Sequence, residues 1–210
     1  MLFNDSIATY CEQHSSKYYD VFEEIFEYST INKMQTHMLS GRLQGRFLHQ
    51  IVKLMQPTNV IEVGTFLGYA TLQIATALPT FGKIVTLEKD IKTAEIARVF
   101  FNKSGCDNKI DLQVGEAATL LENMNTIWDF AFIDADKKNN ELYYELILKQ
   151  MRVGGLILID NVLWKGKILD DVKDSRTIAI DNFNKKLATD LRVYATLLPL
   201  RDGIYLIEKL

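Results

Sequence analysis

The pattern of apolar and polar residues changes near residue 56. Up to that point apolar residues recur at helical spacing, first in the group Tyr18, Val21, Phe22, Ile25 and Phe26, and later in the group Leu43, Phe47, Leu48, Ile51, Val52, Leu54 and Met55. The segment Met34 to Gly41 separates the two groups as a predicted loop. From Asn59 onward, short β-rich apolar runs alternate with segments of helical spacing. The sequence therefore predicts one 210-residue domain, with a helical N-terminal cap over residues 1–55 and an α/β core over residues 56–210.

The core pattern predicts seven strands. Five of them are expected at Asn59–Val63, Lys83–Leu87, Ile110–Val114, Phe130–Ile133 and Leu156–Ile159, with a turn at Gly154-Gly155 just before the fifth. Helices are predicted at Leu72–Leu78, Lys92–Lys103, Ala117–Met124, Glu141–Met151 and Thr177–Asp190. The last two strands, Arg192–Leu198 and Ile204–Glu208, form a predicted hairpin. This order favours an α/β fold: a mostly parallel sheet with helices on both faces and an antiparallel hairpin at one edge.

Composition narrows the class of protein. Hydrophobic residues make up 48% and charged residues 24%, which is ordinary for a globular protein. The net charge is −3, so no basic surplus indicates nucleic acid or an anionic membrane as the main partner. Cys11 and Cys106 lie far apart, so neither a disulfide framework nor a zinc site is expected. Met1 to Tyr10 lacks the pattern of a secretory signal, and no apolar run reaches the roughly 18 residues of a membrane span. We expect a cytoplasmic protein.

Candidate binding residues fall at the predicted strand ends, where ligands bind in sheets of this kind. The first strand leads through Glu62 and Gly64 into a glycine turn that is not GxGxxG, which argues against a dinucleotide. A carboxylate at Glu62 repels phosphate and suits a ligand ammonium group, such as that of S-adenosylmethionine (SAM). Glu88 ends the second strand, where an acid commonly bonds ribose hydroxyls; alternatively it is a solvated acid. The small residues around Ala117 leave room for an adenine.

Hard oxygen ligands follow the fourth and fifth strands. Asp134, Asp160 and Asn161 offer two carboxylates and an amide, a set that suits Mg²⁺ or another hard divalent cation. Taken singly, Asp134 is also compatible with a helix N-cap, and Asp160-Asn161 with a turn. Their occurrence at two neighbouring strand ends favours a metal site.

Six segments together resemble the caffeoyl-CoA and catechol O-methyltransferase family, and its bacterial members most closely. They are VIEVGTFLGYATLQIA at 60–75, Glu88, FIDADK at 132–137, DNVLW at 160–164, MLSGRLQGRFL at 38–48 and LPLRDGI at 198–204. The resemblance spans about residues 34–210. It implies a Rossmann-like class I methyltransferase fold, SAM as cofactor, Mg²⁺-dependent catalysis and a homodimer.

The resemblance also implies roles for individual residues, because their positions in the motifs match those of the family's functional residues. Asp134, Asp160 and Asn161 match the family's metal ligands, and Lys137 matches its proposed general base. The matching SAM-binding positions are Met38, Glu62, Gly64, Tyr69, Ala70, Glu88, Ala117 and Asp134. Where the family usually reads GYS, this chain has an alanine at position 70, so the serine hydroxyl for the methionine carboxylate is missing. Thr71 or backbone groups are expected to substitute.

These assignments predict methyl transfer to one hydroxyl of a catechol-like molecule. A cation that binds both vicinal oxygens lowers the phenol pKa from about 10, and Lys137 takes the proton; alternatively Lys137 is a solvated lysine. Asp136 is expected to orient Lys137 or a metal-bound water. Trp164 and Arg201 are predicted to contact the acceptor, although ordinary packing also explains Trp164. The competing hypotheses are a non-catalytic SAM-binding protein and a nucleotide-dependent dehydrogenase.

Overall fold

A seven-stranded sheet forms the centre of the molecule in the computed structural model, which describes residues 5–16 and 20–210. The strands are β1 Asn59–Val63, β2 Lys83–Glu88, β3 Ile110–Val114, β4 Trp128–Ile133, β5 Met151–Asp160, β6 Val193–Leu198 and β7 Ile204–Lys209. Their order across the sheet is β3-β2-β1-β4-β5-β7-β6. Strands β1 to β5 are parallel, and β7 runs antiparallel to both β5 and β6. The predicted sheet and its closing hairpin are confirmed.

Eight α-helices surround the sheet in the described residues. They are α1 Asp5–Gln13, α2 Asp20–Ile31, α3 Arg42–Met55, α4 Tyr69–Ala77, α5 Ile91–Ser104, α6 Ala117–Asn123, α7 Asn140–Gln150 and α8 Ser175–Leu187. Short 3₁₀ turns lie at Thr36–Met38, Asp107–Lys109, Lys137–Asn139 and Trp164–Leu169. Tyr18, assigned to the first predicted helix, lies outside the described residues. No helix in the described part of the chain is long and apolar enough to span a membrane.

Alternate residues of the central strands pack on opposite layers of helices, as the two-residue period of a strand requires. Ile61 and Ile133 face the layer of α6, α7 and α8. Val60 and Phe132 face the other layer, where α3 and α4 pack on the sheet. Glu62 shares the face of Val60, so its side chain points toward α4 and not toward solvent. Burial on both faces explains why these strands read as nearly continuous apolar runs.

The turn predicted at Gly154-Gly155 is wrong, since both glycines lie inside β5. The register between β4 and β5 shifts there, from Trp128 opposite Met151 to Phe130 opposite Leu156. Gly154 has φ +71°, and a Cβ added at Gly155 would lie 2.4 Å from the sulfur of Met151. Glycine permits this bulge, so the same residue type that suggested a turn here lets the strand continue through an irregularity.

Two helices begin more than one residue before their predicted starts. Helix α4 begins at Tyr69, three residues before the predicted Leu72, directly after the left-handed Gly68. Helix α8 begins at Ser175, because the carboxylate of Asp174 accepts a hydrogen bond from the backbone N–H of Thr177 at 2.7 Å. Such an N-cap satisfies a donor that the first turn of a helix leaves unpaired.

Candidate active site

The carboxyl ends of β1 to β5 open onto one cleft of about 1060 Å³. Its wall contains most of the residues that the sequence singled out, namely Met38, Gly64, Tyr69, Ala70, Glu88, Ala117, Asp134, Lys137, Asn161, Trp164 and Arg201. Glu62 and Asp160 lie behind this wall and are fully buried. The parallel topology therefore brings residues from distant parts of the sequence to one edge of the sheet.

Glu62 sits beneath the floor of the cleft. Its Oε2 accepts hydrogen bonds from the hydroxyls of Thr71 and Thr86, the latter at 2.5 Å, while Oε1 has no hydrogen-bond partner among the residues that the structure describes. Burial raises the pKa of Glu62 to about 8. Thr71, which was expected to substitute for the missing serine, uses its hydroxyl to bond Glu62 and is itself fully buried.

Glu88 lines the cleft with its carboxylate held by backbone groups. Oε1 accepts from the N–H groups of Lys89 and Asp90 at 2.9 Å, and Oε2 accepts from the N–H of Phe66 at 2.7 Å. These bonds fix the carboxylate at the end of β2. Charge-assisted bonds of this kind are stronger than neutral ones, so the acid is held in one orientation at the position where a ribose is expected.

Gly64 lets the ends of β1 and β4 approach each other. Its φ is +104°, and an added Cβ would lie 2.3 Å from the backbone oxygen of Asp134. The backbone N–H of Asp134 in turn donates to the backbone oxygen of Val63 at 2.9 Å. Glycine is therefore required at this point both by conformation and by space.

Lys137 is paired with Asp134 inside the cleft. Its Nζ donates to Oδ1 of Asp134 at 2.8 Å, and the two side chains are only 9% and 14% exposed. Asp136 was expected to orient Lys137 or a metal-bound water. Its carboxylate accepts hydrogen bonds from Asn139 Nδ2 and from the hydroxyl of Tyr143, both at 2.6 Å. Burial, together with the carboxylate of Asp136, raises the pKa of the Tyr143 hydroxyl.

Asp160 lies next to Asp134 across the sheet, because Ile133 and Ile159 are register partners in β4 and β5. Its Oδ1 accepts the backbone N–H of Asn161 at 2.6 Å, and Asn161 adopts a left-handed conformation with φ +61°. Burial, reinforced by the negative charge of Asp134, raises the pKa of Asp160 to about 7. Two carboxylates are thus held close together in a poorly solvated place.

Gln44 is a site residue that the sequence reasoning missed. Its Nε2 donates to Oδ2 of Asp160 at 2.8 Å, and the side chain is 1% exposed. Arg201 reaches the same oxygen from the other side, with its Nη1 at 3.4 Å. The sequence did contain a signal that Gln44 is buried, since it lies four residues before the apolar Leu48 and therefore on the same face of α3.

Trp164 and Tyr69, two further residues predicted for the site, also belong to the wall of the cleft. Trp164 lines it with an aromatic ring whose centroid is 5.6 Å from the guanidinium carbon of Arg176. Tyr69 is almost fully buried and packs edge-on against Phe22 and Phe26 of α2, which ties the N-terminal helices to the cleft. These placements allow contact with a ligand.

Comparison with known proteins identifies the family. Residues 12–210 match the model of a family described as O-methyltransferase. The chain is 34% identical to "probable caffeoyl-CoA O-methyltransferase 2" of Dictyostelium discoideum, covering 99% of this chain and 93% of the relative. It is 38% identical to a caffeoyl-CoA O-methyltransferase of Populus kitakamiensis, covering 80% of this chain and 76% of the relative.

A solved structure supports the same conclusion. The O-methyltransferase from Bacillus cereus in complex with SAH is 30% identical, has a TM-score of 0.90 and covers 98% of this chain and 97% of its own. The chain therefore belongs to the O-methyltransferase family, and it is a SAM-dependent enzyme with the class I methyltransferase fold.

Proposed function

We propose that the protein transfers a methyl group from SAM to one hydroxyl of a catechol-like molecule, and that the reaction depends on a divalent cation. The observation that carries the proposal is the pair of acids Asp134 and Asp160 at adjacent strand ends, with Lys137 Nζ 2.8 Å from Asp134. All three lie in or directly behind the cleft that Glu88 and Gly64 line.

The cofactor is assigned to the part of the cleft between β1 and β3. Glu88 would accept the ribose hydroxyls, and Ala117 leaves space for the adenine. Gly64 and Ala70 let the methionine portion approach the backbone. The oxygen Oε1 of Glu62 lacks a hydrogen-bond partner in the described structure. We assign it as the acceptor for the ammonium group of SAM.

The residues at the ends of β4 and β5 fit a hard divalent cation. The described residues contain no group of three or more His, Cys, Asp or Glu side chains that could hold a metal, so the proposed set is two carboxylates and one amide, Asp134, Asp160 and Asn161. Oxygen donors of this kind suit Mg²⁺, which usually keeps several waters. Burial and the negative charge of Asp134 raise the pKa of Asp160 even though Lys137 and Arg201 lie nearby, so further positive charge would stabilise the two carboxylates. A bound cation would supply that charge, lower the pKa of the acceptor hydroxyl and orient the vicinal oxygens.

Lys137 is proposed as the general base. In its neutral form Nζ would take the proton of the acceptor hydroxyl while the oxygen attacks the methyl carbon. The new O–CH₃ bond forms as the S–CH₃ bond breaks, and S-adenosylhomocysteine leaves with the electron pair on sulfur. The low exposure of Lys137 keeps water from competing for the proton. Holding the acceptor oxygen, the methyl carbon and the sulfur in line would contribute much of the rate.

The test is methylation of a 3,4-dihydroxyphenyl acid with SAM and Mg²⁺, with and without EDTA. EDTA-sensitive product is expected, and Asp160→Asn should abolish it, while Asp171→Asn, in the exposed segment before α8, should not. Product that still forms in the presence of EDTA would refute the metal dependence but leave the methyltransferase activity in place. The expected homodimer and cytoplasmic location stay predictions; analytical ultracentrifugation tests the first.

A further inference from the structure

A second cavity of about 510 Å³ lies beside the cleft, between α1, the start of α3 and the segment that joins β6 to β7. Ser40 and Arg201 line both cavities. Gln44 also belongs to the wall of the second cavity, and its Nε2 hydrogen-bonds Asp160 at 2.8 Å. The second cavity therefore adjoins the candidate metal site, on the side away from the expected adenine.

The surface of this cavity is largely apolar. Helix α1 contributes Ile7 and Ala8, and the facing wall contributes Leu43, Pro199 and Leu200. A volume of about 510 Å³ exceeds what a propyl chain needs, so a substituent as large as an aryl ring has space there. Apolar pockets with a few polar groups are typical of small-molecule sites.

The two arginines of the wall are already engaged with carboxylates. Arg42 forms a bidentate pair with Glu23, with distances of 3.0 Å and 2.6 Å, and Arg201 faces Asp160 at 3.4 Å. Glu12 adds negative charge to the wall and, after Glu23, helps to raise the pKa of Arg42. An entering carboxylate would therefore have to compete with an existing ion pair for either arginine, and it would meet the like charge of Glu12, so its loss of hydration would be only partly compensated.

We propose that the second cavity receives the ring substituent of the acceptor and selects an uncharged, apolar substituent over an anionic one. This inference rests on the proposed function, since the vicinal hydroxyls must sit at Asp134 and Asp160 for the substituent to reach the cavity. It assigns to α1 the role of a specificity element, because α1 supplies one wall.

Three acceptors test the inference: catechol, 4-propylcatechol and 3-(3,4-dihydroxyphenyl)propanoate. The last two have side chains of the same length and differ in charge. With SAM and Mg²⁺, kcat/KM for 4-propylcatechol should exceed each of the others by about tenfold or more, the scale on which apolar pockets discriminate.

Variants of the wall should change this preference. Ala8→Phe fills the cavity and Leu43→Ala removes apolar contact, so each should lower the ratio of kcat/KM for 4-propylcatechol to that for catechol. Gln13→Phe, on α1 but outside the cavity wall, should leave the ratio unchanged and controls for general effects on the helix.

The outcomes separate the two hypotheses. Equal or better use of the propanoate, or a ratio that neither wall variant changes, would overturn the inference while the proposed function stands. If none of the three acceptors is methylated and calorimetry shows that SAM binds but no catechol does, the proposed acceptor class fails, and the assignment of the cavity fails with it.

Discussion

Replacing Glu62 by Gln should change how the stability of the protein depends on pH. In the folded state burial raises the pKa of this carboxyl to about 8, whereas its ordinary value is 4.5. Between these two values the folded chain holds a proton that the unfolded chain has lost. Stability should therefore fall as pH rises through this window, by about 1.4 kcal/mol per pH unit from this one group.

The expected size of the effect follows from the same two values. At pH 7, which is 2.5 units above 4.5, the unfolded chain has lost the Glu62 proton that the folded chain keeps. The free energy of unfolding should therefore be about 3 kcal/mol lower at pH 7 than at pH 4.5 from this group alone. Glutamine does not titrate, and its carbonyl oxygen still accepts the hydroxyls of Thr71 and Thr86. Glu62→Gln should thus become more stable relative to wild type as pH rises.

Urea unfolding of both proteins between pH 5 and pH 8 measures this difference. Glu122→Gln, on the exposed side of α6, controls for removing a carboxylate without burial. If the free energies of unfolding of wild type and Glu62→Gln run parallel across the range, Glu62 does not titrate as its burial requires, and the reasoning fails.

Three further changes test other parts of the site. Lys137→Ala should lower kcat by about 10²- to 10⁴-fold with unchanged SAM affinity, measured by turnover and calorimetry; normal turnover would exclude it as the base. Gln44→Met removes the hydrogen-bond donor to Asp160 and should raise the Mg²⁺ concentration for half-maximal activity about fivefold or more. Gln50→Met, on the exposed side of α3, should leave that concentration unchanged. Gly64→Ala should destabilise the folded protein by about 3 kcal/mol or more in thermal melts, because the added Cβ would lie 2.3 Å from the backbone oxygen of Asp134. Gly105→Ala should cost only about 1 kcal/mol, because nothing lies within 4 Å of its added Cβ. Equal costs would contradict the close approach of β1 and β4 at Gly64.

Much of the sheet was predictable because strand signals are local. Asn59–Val63 and Ile110–Val114 are β-strands with the predicted bounds, since each is a short run rich in β-branched residues between turn residues. The positions of Glu88, Asp134 and Asp160 at strand ends follow from the same runs. Their convergence on one cleft follows from parallel topology, which the alternation of strands and helices indicates.

The partners of these residues were not predictable, because they come from elsewhere in the chain. The amide of Gln44 is 116 residues from Asp160 in sequence, and no local pattern relates them. Gly154-Gly155 has the composition of a turn, but pairing of β5 with β4 and β7 keeps the strand continuous through the glycines.

The sequence by itself determined the order of elements, the family and the chemical types that gather at the strand ends, because apolar periodicity and short motifs are properties of neighbouring residues. Only the tertiary structure decided that Glu62 lies beneath the cleft with one oxygen lacking a hydrogen-bond partner among the described residues, and that Lys137 pairs with Asp134 rather than Asp136. It also decided that α1 forms one wall of a second cavity. Burial and pairing depend on how distant segments pack, and that packing sets both the pKa of a carboxyl and the shape of a pocket.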